Sequence, residues 1–75
     1  MATRYSMEIL DAETYEWTPV ALFSDLLPRE TLQDMCRTMW DNVTGADRVT
    51  VFDMETGELA AEFSAVDEEK ENNDS

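Results

Sequence analysis

Two stretches of the chain carry one pattern, 42 positions apart: Met7-Glu8-Ile9-Leu10-Asp11-Ala12-Glu13-Thr14-Tyr15-Glu16-Trp17 and Val49-Thr50-Val51-Phe52-Asp53-Met54-Glu55-Thr56-Gly57-Glu58-Leu59. Asp, Glu, Thr and Glu recur at the same spacing, with apolar residues on both flanks. Alternating apolar and polar residues before the acids have the period of a half-buried strand, and the Asp-to-Thr segment is turn chemistry. Each copy therefore predicts a β-hairpin.

In the first copy, Tyr5, Met7 and Ile9 alternate with Ser6 and Glu8, and alternation resumes from Tyr15 to Thr18. Pro19 cannot donate to a ladder and marks a strand end or edge. The apolar run Val20-Ala21-Leu22-Phe23 reads as the entry to a helical layer. In the second copy, Arg48 to Met54 is rich in β-branched residues, and Gly57 can take the positive φ of a three-residue loop with a bulge. That register pairs Val51 with Ala61 and Val49 with Phe63 on the inner face. A four-residue loop from Met54 to Gly57 would shift the pairing by one and mix the faces, so the bulged form is preferred. Tyr15 stands where the second copy has Gly57, and a left-handed conformation is costly for tyrosine, so the two turns need not share a geometry.

Between the copies lies one amphipathic helix. Ser24-Asp25 is a capping signal and Pro28 suits an early helical position, with a short leading turn between them. Leu32, Met35, Cys36, Met39, Trp40 and Val43 form a continuous apolar stripe, and Gly45 is the expected left-handed C-cap. Arg29, Glu30, Gln33, Asp34, Arg37 and Asp41 occupy the other side. The fold class is thus α+β: ββαββ, two hairpins forming a largely antiparallel sheet with one helix on one face. The domain spans residues 1–66. Residues 67–75, with five acids and one lysine, form an acidic tail expected to be disordered because it has nothing to bury.

The expected inner face holds Met7, Ile9, Trp17, Val49, Val51, Leu59, Ala61 and Phe63. At roughly 1.5–3 kcal/mol per large apolar side chain this is a workable core. The outer face is expected to show Glu8, Glu16, Glu58, Glu62 and Thr50, with Leu10, Phe52 and Met54 among them. Phe52 and Met54 beside acids are an odd choice for a solvated face, and exposed apolar patches rimmed by polar groups mark interfaces.

Charge separates the function classes. Eighteen acids against five bases give −13, which repels nucleic acid and anionic membranes and favours a basic partner. No stretch approaches the roughly 20 apolar residues of a membrane span. A lone, inward-facing Cys36 and no signal-peptide pattern point to the cytoplasm. Without histidine, a Gly-rich phosphate loop or a base beside Cys36, no enzymatic activity and no cofactor are expected. Asp11, Glu13 and Glu16, or Asp53, Glu55 and Glu58, offer oxygen ligands for calcium or magnesium. Their spacing does not match a helix–loop–helix calcium loop, and turns capped by Asp11 and Asp53 with help from Thr14 and Thr56 are the favoured reading.

In size, charge and lack of catalytic residues the chain resembles the small inhibitors that bacteriophages make against restriction, CRISPR or transcription proteins. The resemblance is one of profile over the whole chain, and no motif carries a functional residue across. It implies carboxylates imitating a phosphate backbone to block a nucleic-acid-binding protein. The candidate partner-binding residues are Glu8, Glu16, Glu58 and Glu62 on the sheet, Glu13 and Glu55 at the turns, Asp34 and Asp41 on the helix, and Phe52 and Met54 as apolar anchors. The alternatives are an ordinary acidic domain of a salt-loving organism, since four of the five bases are arginine, a housekeeping adaptor, or a homodimer through the outer sheet face.

Overall fold

The computed structural model describes residues 2–73, with side chains through Lys70. The elements run β1 (Thr3–Asp11), β2 (Trp17–Ser24), α1 (Arg29–Asn42), β3 (Ala46–Asp53), β4 (Leu59–Ser64) and α2 (Ala65–Asn73). All strand pairs are antiparallel in the order β2-β1-β3-β4. The two hairpins therefore meet along their first strands, and α1 packs on one face, mainly over β4 and β3. This is the α+β arrangement that the repeat predicts. No helix among the described residues is long and apolar enough to cross a membrane.

The seam between β1 and β3 is symmetric. Met7 pairs with Val51 and Ile9 with Val49, while the repeat makes Met7 equivalent to Val49 and Ile9 to Val51. Exchanging the hairpins maps this pairing onto itself. Glu8 and Thr50, equivalent in the repeat, face each other at the centre. A pseudo-two-fold axis therefore passes through the sheet between them and sets the two hairpin turns at opposite ends.

The turns share one geometry, a point that Tyr15 left open in the sequence. In each, the first Asp donates its N–H to the Glu five residues on (Asp11 to Glu16, 3.0 Å; Asp53 to Glu58, 2.8 Å). Its carbonyl accepts from Tyr15 (2.9 Å) or Gly57 (2.7 Å). The Asp11 carboxylate accepts from the amides of Glu13 and Thr14, and Asp53 from those of Glu55 and Thr56. The Thr14 and Thr56 hydroxyls accept from Glu16 and Glu58. Tyr15 takes φ 56° and Gly57 φ 78°. The Asp and Thr side chains hold the backbone so fully that tyrosine is driven into the left-handed region that glycine occupies without strain.

Both loops thus have four residues, and the register is restored by a bulge further along the second strand. Leu59 pairs with Phe52, Ala60 is skipped, and Ala61 pairs with Val51 and Phe63 with Val49. In the first hairpin Trp17 pairs with Leu10, Val20 is skipped, and Ala21 pairs with Met7. The expected core pairs are present, but the bulges sit at Ala60 and Val20 and not in the loops. Between each turn and its bulge the faces are exchanged. Trp17 and Leu59, expected inside, lie on the outer face and are 43% and 47% exposed. Glu16 and Glu58, expected on the outer face, lie opposite Asp11 and Asp53 at the two exposed ends of the sheet.

The core consists of Tyr5, Met7, Val49, Val51, Ala61 and Phe63 from the sheet against Leu32 and Cys36 of α1. Met35, Met39 and Trp40 pack beside them, with the Trp40 and Phe63 rings 6.0 Å apart. Burial pushes the Cys36 thiol up to about 12, with help from the charge of Glu62, so this thiol is inert at neutral pH.

Three boundaries differ from expectation. The run Val20 to Phe23 continues β2 up to Ser24; Ala21 and Phe23 pack on the core while Leu22 stays exposed, an alternation that the local bulge hides in the sequence. Gly45 is left-handed (φ 80°), but α1 ends at Asn42 with Val43 extended. Its carbonyl instead accepts from Ala12 (2.9 Å), tying the entry of β3 to the first turn. Where an unstructured tail is expected after residue 66, α2 runs to Asn73, and residues 74 and 75 of that tail lie outside the described residues, as does residue 1. The helix start is held by the side-chain half of a capping box: the Asp67 carboxylate accepts from both the amide (3.0 Å) and the hydroxyl (3.2 Å) of Ser64. Acids in the first turn and Lys70 near the last suit the helix dipole, and the Trp40 indole donates to Glu68.

Candidate protein-binding face

The helices leave the outer face of the sheet uncovered. By alternation and pairing it presents Leu10, Trp17, Leu22, Phe52 and Leu59, together with Glu8, Arg48, Thr50 and Glu62. Leu10 and Thr50 are buried there beneath their neighbours, whereas Leu22 is 64% exposed. The Trp17 and Phe52 rings meet edge to face across the middle of this surface, with centroids 5.7 Å apart. Beside them a groove of about 350 Å³ is lined by Glu8, Trp17, Phe52, Asp53, Met54 and Gly57. In the repeat, Leu10 corresponds to Phe52 and Trp17 to Leu59, so the pseudo-two-fold axis relates the apolar pair of one hairpin to that of the other.

The charged groups on and around this face differ in how they are held. Arg48 donates to Asp47 (2.8 Å) and reaches Glu62 at 3.8 Å, so Glu62 is partly neutralised. The β4 edge is closed at Glu62, whose carbonyl accepts from the Gln33 side chain (2.6 Å) and whose amide donates back to it (3.4 Å). Asp53 is buried and bound by Arg4 through Nε and Nη2 (3.0 and 2.8 Å). This guanidinium, followed by the Glu55 and Thr56 amides, holds the Asp53 carboxyl down at about 2. Its counterpart Asp11 is paired with no arginine among the described residues, is exposed, and is lowered by the Thr14 and Glu13 amides. The Glu8 carboxylate, among the described residues, makes neither an ion pair nor a side-chain hydrogen bond; only its backbone carbonyl accepts, from Thr50.

The structure brings Glu8, Phe52 and Met54 to one groove, sets Glu62 on the same face, and places Glu13 and Glu16 at one end of the sheet and Glu55 and Glu58 at the other. It does not bring Asp34 and Asp41 to this surface: both are on α1, across the sheet. Asp41 lines a separate hollow of about 310 Å³ with Trp40 and Glu68. Sequence reasoning missed Trp17 and Leu59 as surface residues, and the four-residue loop was the signal for both. No group of three or more His, Cys, Asp or Glu residues able to hold a metal ion occurs among the described residues. Asp11 and Asp53 are both engaged in closing their turns. No protein-family model, curated protein or solved structure matches the chain.

Proposed function

We propose that the chain is a non-enzymatic, acidic protein-binding module that engages a basic, nucleic-acid-binding protein through its outer sheet face. The observation that carries this reading is an uncovered apolar sheet surface, Trp17, Phe52, Leu22 and Leu59, in a chain of net charge −13. Exposed apolar area supplies binding energy, and the surrounding carboxylates supply attraction and exclude acidic partners. Acids at both ends of the sheet, in a molecule whose long extents are 38 and 32 Å, spread negative charge along the surface as a duplex backbone does. The specific form of the proposal is a small phage-type inhibitor that occupies a nucleic-acid groove on restriction, CRISPR or transcription machinery in the cytoplasm.

The test is capture and displacement. The immobilised chain is expected to retain nucleic-acid-binding proteins from host extract and to release them when duplex DNA is added. A variant carrying Glu8→Lys, Glu16→Lys and Glu58→Lys, shown to be folded by circular dichroism, is expected to retain none. Equal retention by that variant, or indifference to DNA, would overturn the proposal.

A further inference from the structure

Among the described residues, the groove beside Trp17 holds the one acidic group on the outer face that nothing neutralises. Glu8 sits at the centre of the sheet, opposite Thr50, among apolar side chains, and its carboxylate has no partner among the described residues. The other acid lining the groove, Asp53, is already bound by Arg4 and two turn amides. Any partner that covers this face removes water from Glu8, and burying an unpaired carboxylate is strongly unfavourable. The occupant must therefore bring donors to Glu8, and a cation supplies them together with the opposite charge.

A second copy stacked on the same face cannot supply one. The bases nearest this face are Arg4, bound to Asp53, and Arg48, bound to Asp47 and near Glu62. Two copies face to face would also oppose two surfaces of the same sign.

The walls of the groove select among cations. Trp17 and Phe52 present aromatic surface on the same side as Glu8. A guanidinium is planar and weakly hydrated, so it can lie against a ring while donating two parallel hydrogen bonds to a carboxylate; a lysine ammonium is a strongly hydrated point charge. Met54 and the Gly57 backbone line the groove as well and suit the aliphatic stem of such a side chain. The chain contains the same chemistry internally: the Arg4 guanidinium binds a carboxylate with the Tyr5 ring 5.7 Å away.

We infer that the groove between Glu8, Trp17 and Phe52 is an anchor site for one arginine side chain of a basic partner protein. The inference rests on the outer face being the binding surface, and it names the chemistry recognised there.

The experiment is an NMR titration of the full chain with a short acetylated peptide bearing three arginines, beside its lysine and citrulline counterparts, at low salt. The arginine peptide is expected to shift the Trp17 indole and the amides of Glu8, Phe52 and Met54. It is expected to bind about two- to fivefold more tightly than the lysine peptide, and the citrulline peptide is expected not to bind. Glu8→Gln should abolish these shifts. Trp17→Leu, which keeps apolar bulk and removes the ring, should equalise arginine and lysine. Equal affinity of the two peptides for the unaltered chain, shifts confined to Asp34 and Asp41, or no binding would overturn the anchor site. So would concentration-dependent shifts at Trp17 without peptide, which would give the face to a second copy. If basic proteins are still captured and released by DNA, these results remove the arginine site alone; if capture fails as well, the reading beneath it fails.

Discussion

Tyr15 and Gly57 occupy equivalent places in two turns with the same hydrogen bonds, and only one of them suits its backbone. A left-handed conformation costs an L-residue roughly 1–2 kcal/mol, part of which glycine gives back in unfolded-state entropy. Tyr15 is 66% exposed, so its ring contributes little packing. Tyr15→Gly is expected to raise stability by about 0.5–1 kcal/mol in chemical denaturation. Gly57→Ala is expected to lower it by about 1 kcal/mol; a Cβ there would meet nothing within 4 Å, so backbone strain alone is measured. Opposite signs are the diagnostic, and the same sign for both would mean that the turns differ in solution. The strain was legible in the sequence as a mismatch between copies, but its resolution was not. Residue preference alone disfavours tyrosine, whereas the Asp11 and Thr14 side-chain bonds, which the repeat does encode, decide the conformation.

At the scale of elements, the two hairpins differ most in how their leading aspartates are paired. Asp53 titrates at about 2 in the folded protein and at the ordinary carboxylate value of about 3.9 when unfolded. Its folded pKa is depressed, so the stabilisation is complete above about pH 4 and is lost as pH falls through about 2. Protonation of the many other acids also relieves repulsion, so the effect is best read as a difference. Asp53→Asn is expected to be destabilising at neutral pH, by more than Asp11→Asn, and its penalty should shrink steadily between about pH 4 and pH 2. Thermal melts of the three proteins across that range provide the check, and a penalty unchanged by pH would remove the Arg4 pairing as its source. This asymmetry was hidden in the sequence because Arg4 lies outside the repeat and meets Asp53 only through strand pairing. The helix α2, by contrast, was legible: Ser64-Ala65-Val66-Asp67 is a capping box by spacing, masked by the expectation that so acidic a segment stays unfolded.

The whole molecule is thin and heavily charged, 20 Å across its shortest dimension with a net charge of −13. Lowering salt from about 0.15 M to about 0.01 M lengthens the screening distance from about 8 Å to about 30 Å, so carboxylates on opposite faces then repel. The melting temperature is expected to fall by several degrees over that range and to recover with added NaCl in calorimetry; a flat response would mean that the surface charges are locally compensated. Architecture was legible because hairpins and helix announce themselves by period and by turn chemistry. The face was legible only in part: Phe52 and Met54 stood out and a four-residue loop turns Trp17 and Leu59 outward, but the bulges at Val20 and Ala60, which keep the core pairs in register, follow from no local pattern. The pseudo-two-fold seam also sets an order in time. Each hairpin closes over a few residues, on the scale of about 1–10 μs, and the helix forms faster still. Glu8 and Thr50, however, meet across 42 residues of chain. Joining β1 to β3 closes the longer loop, around α1, and carries the larger closure cost, so the step that completes the symmetry is expected to limit the rate of folding.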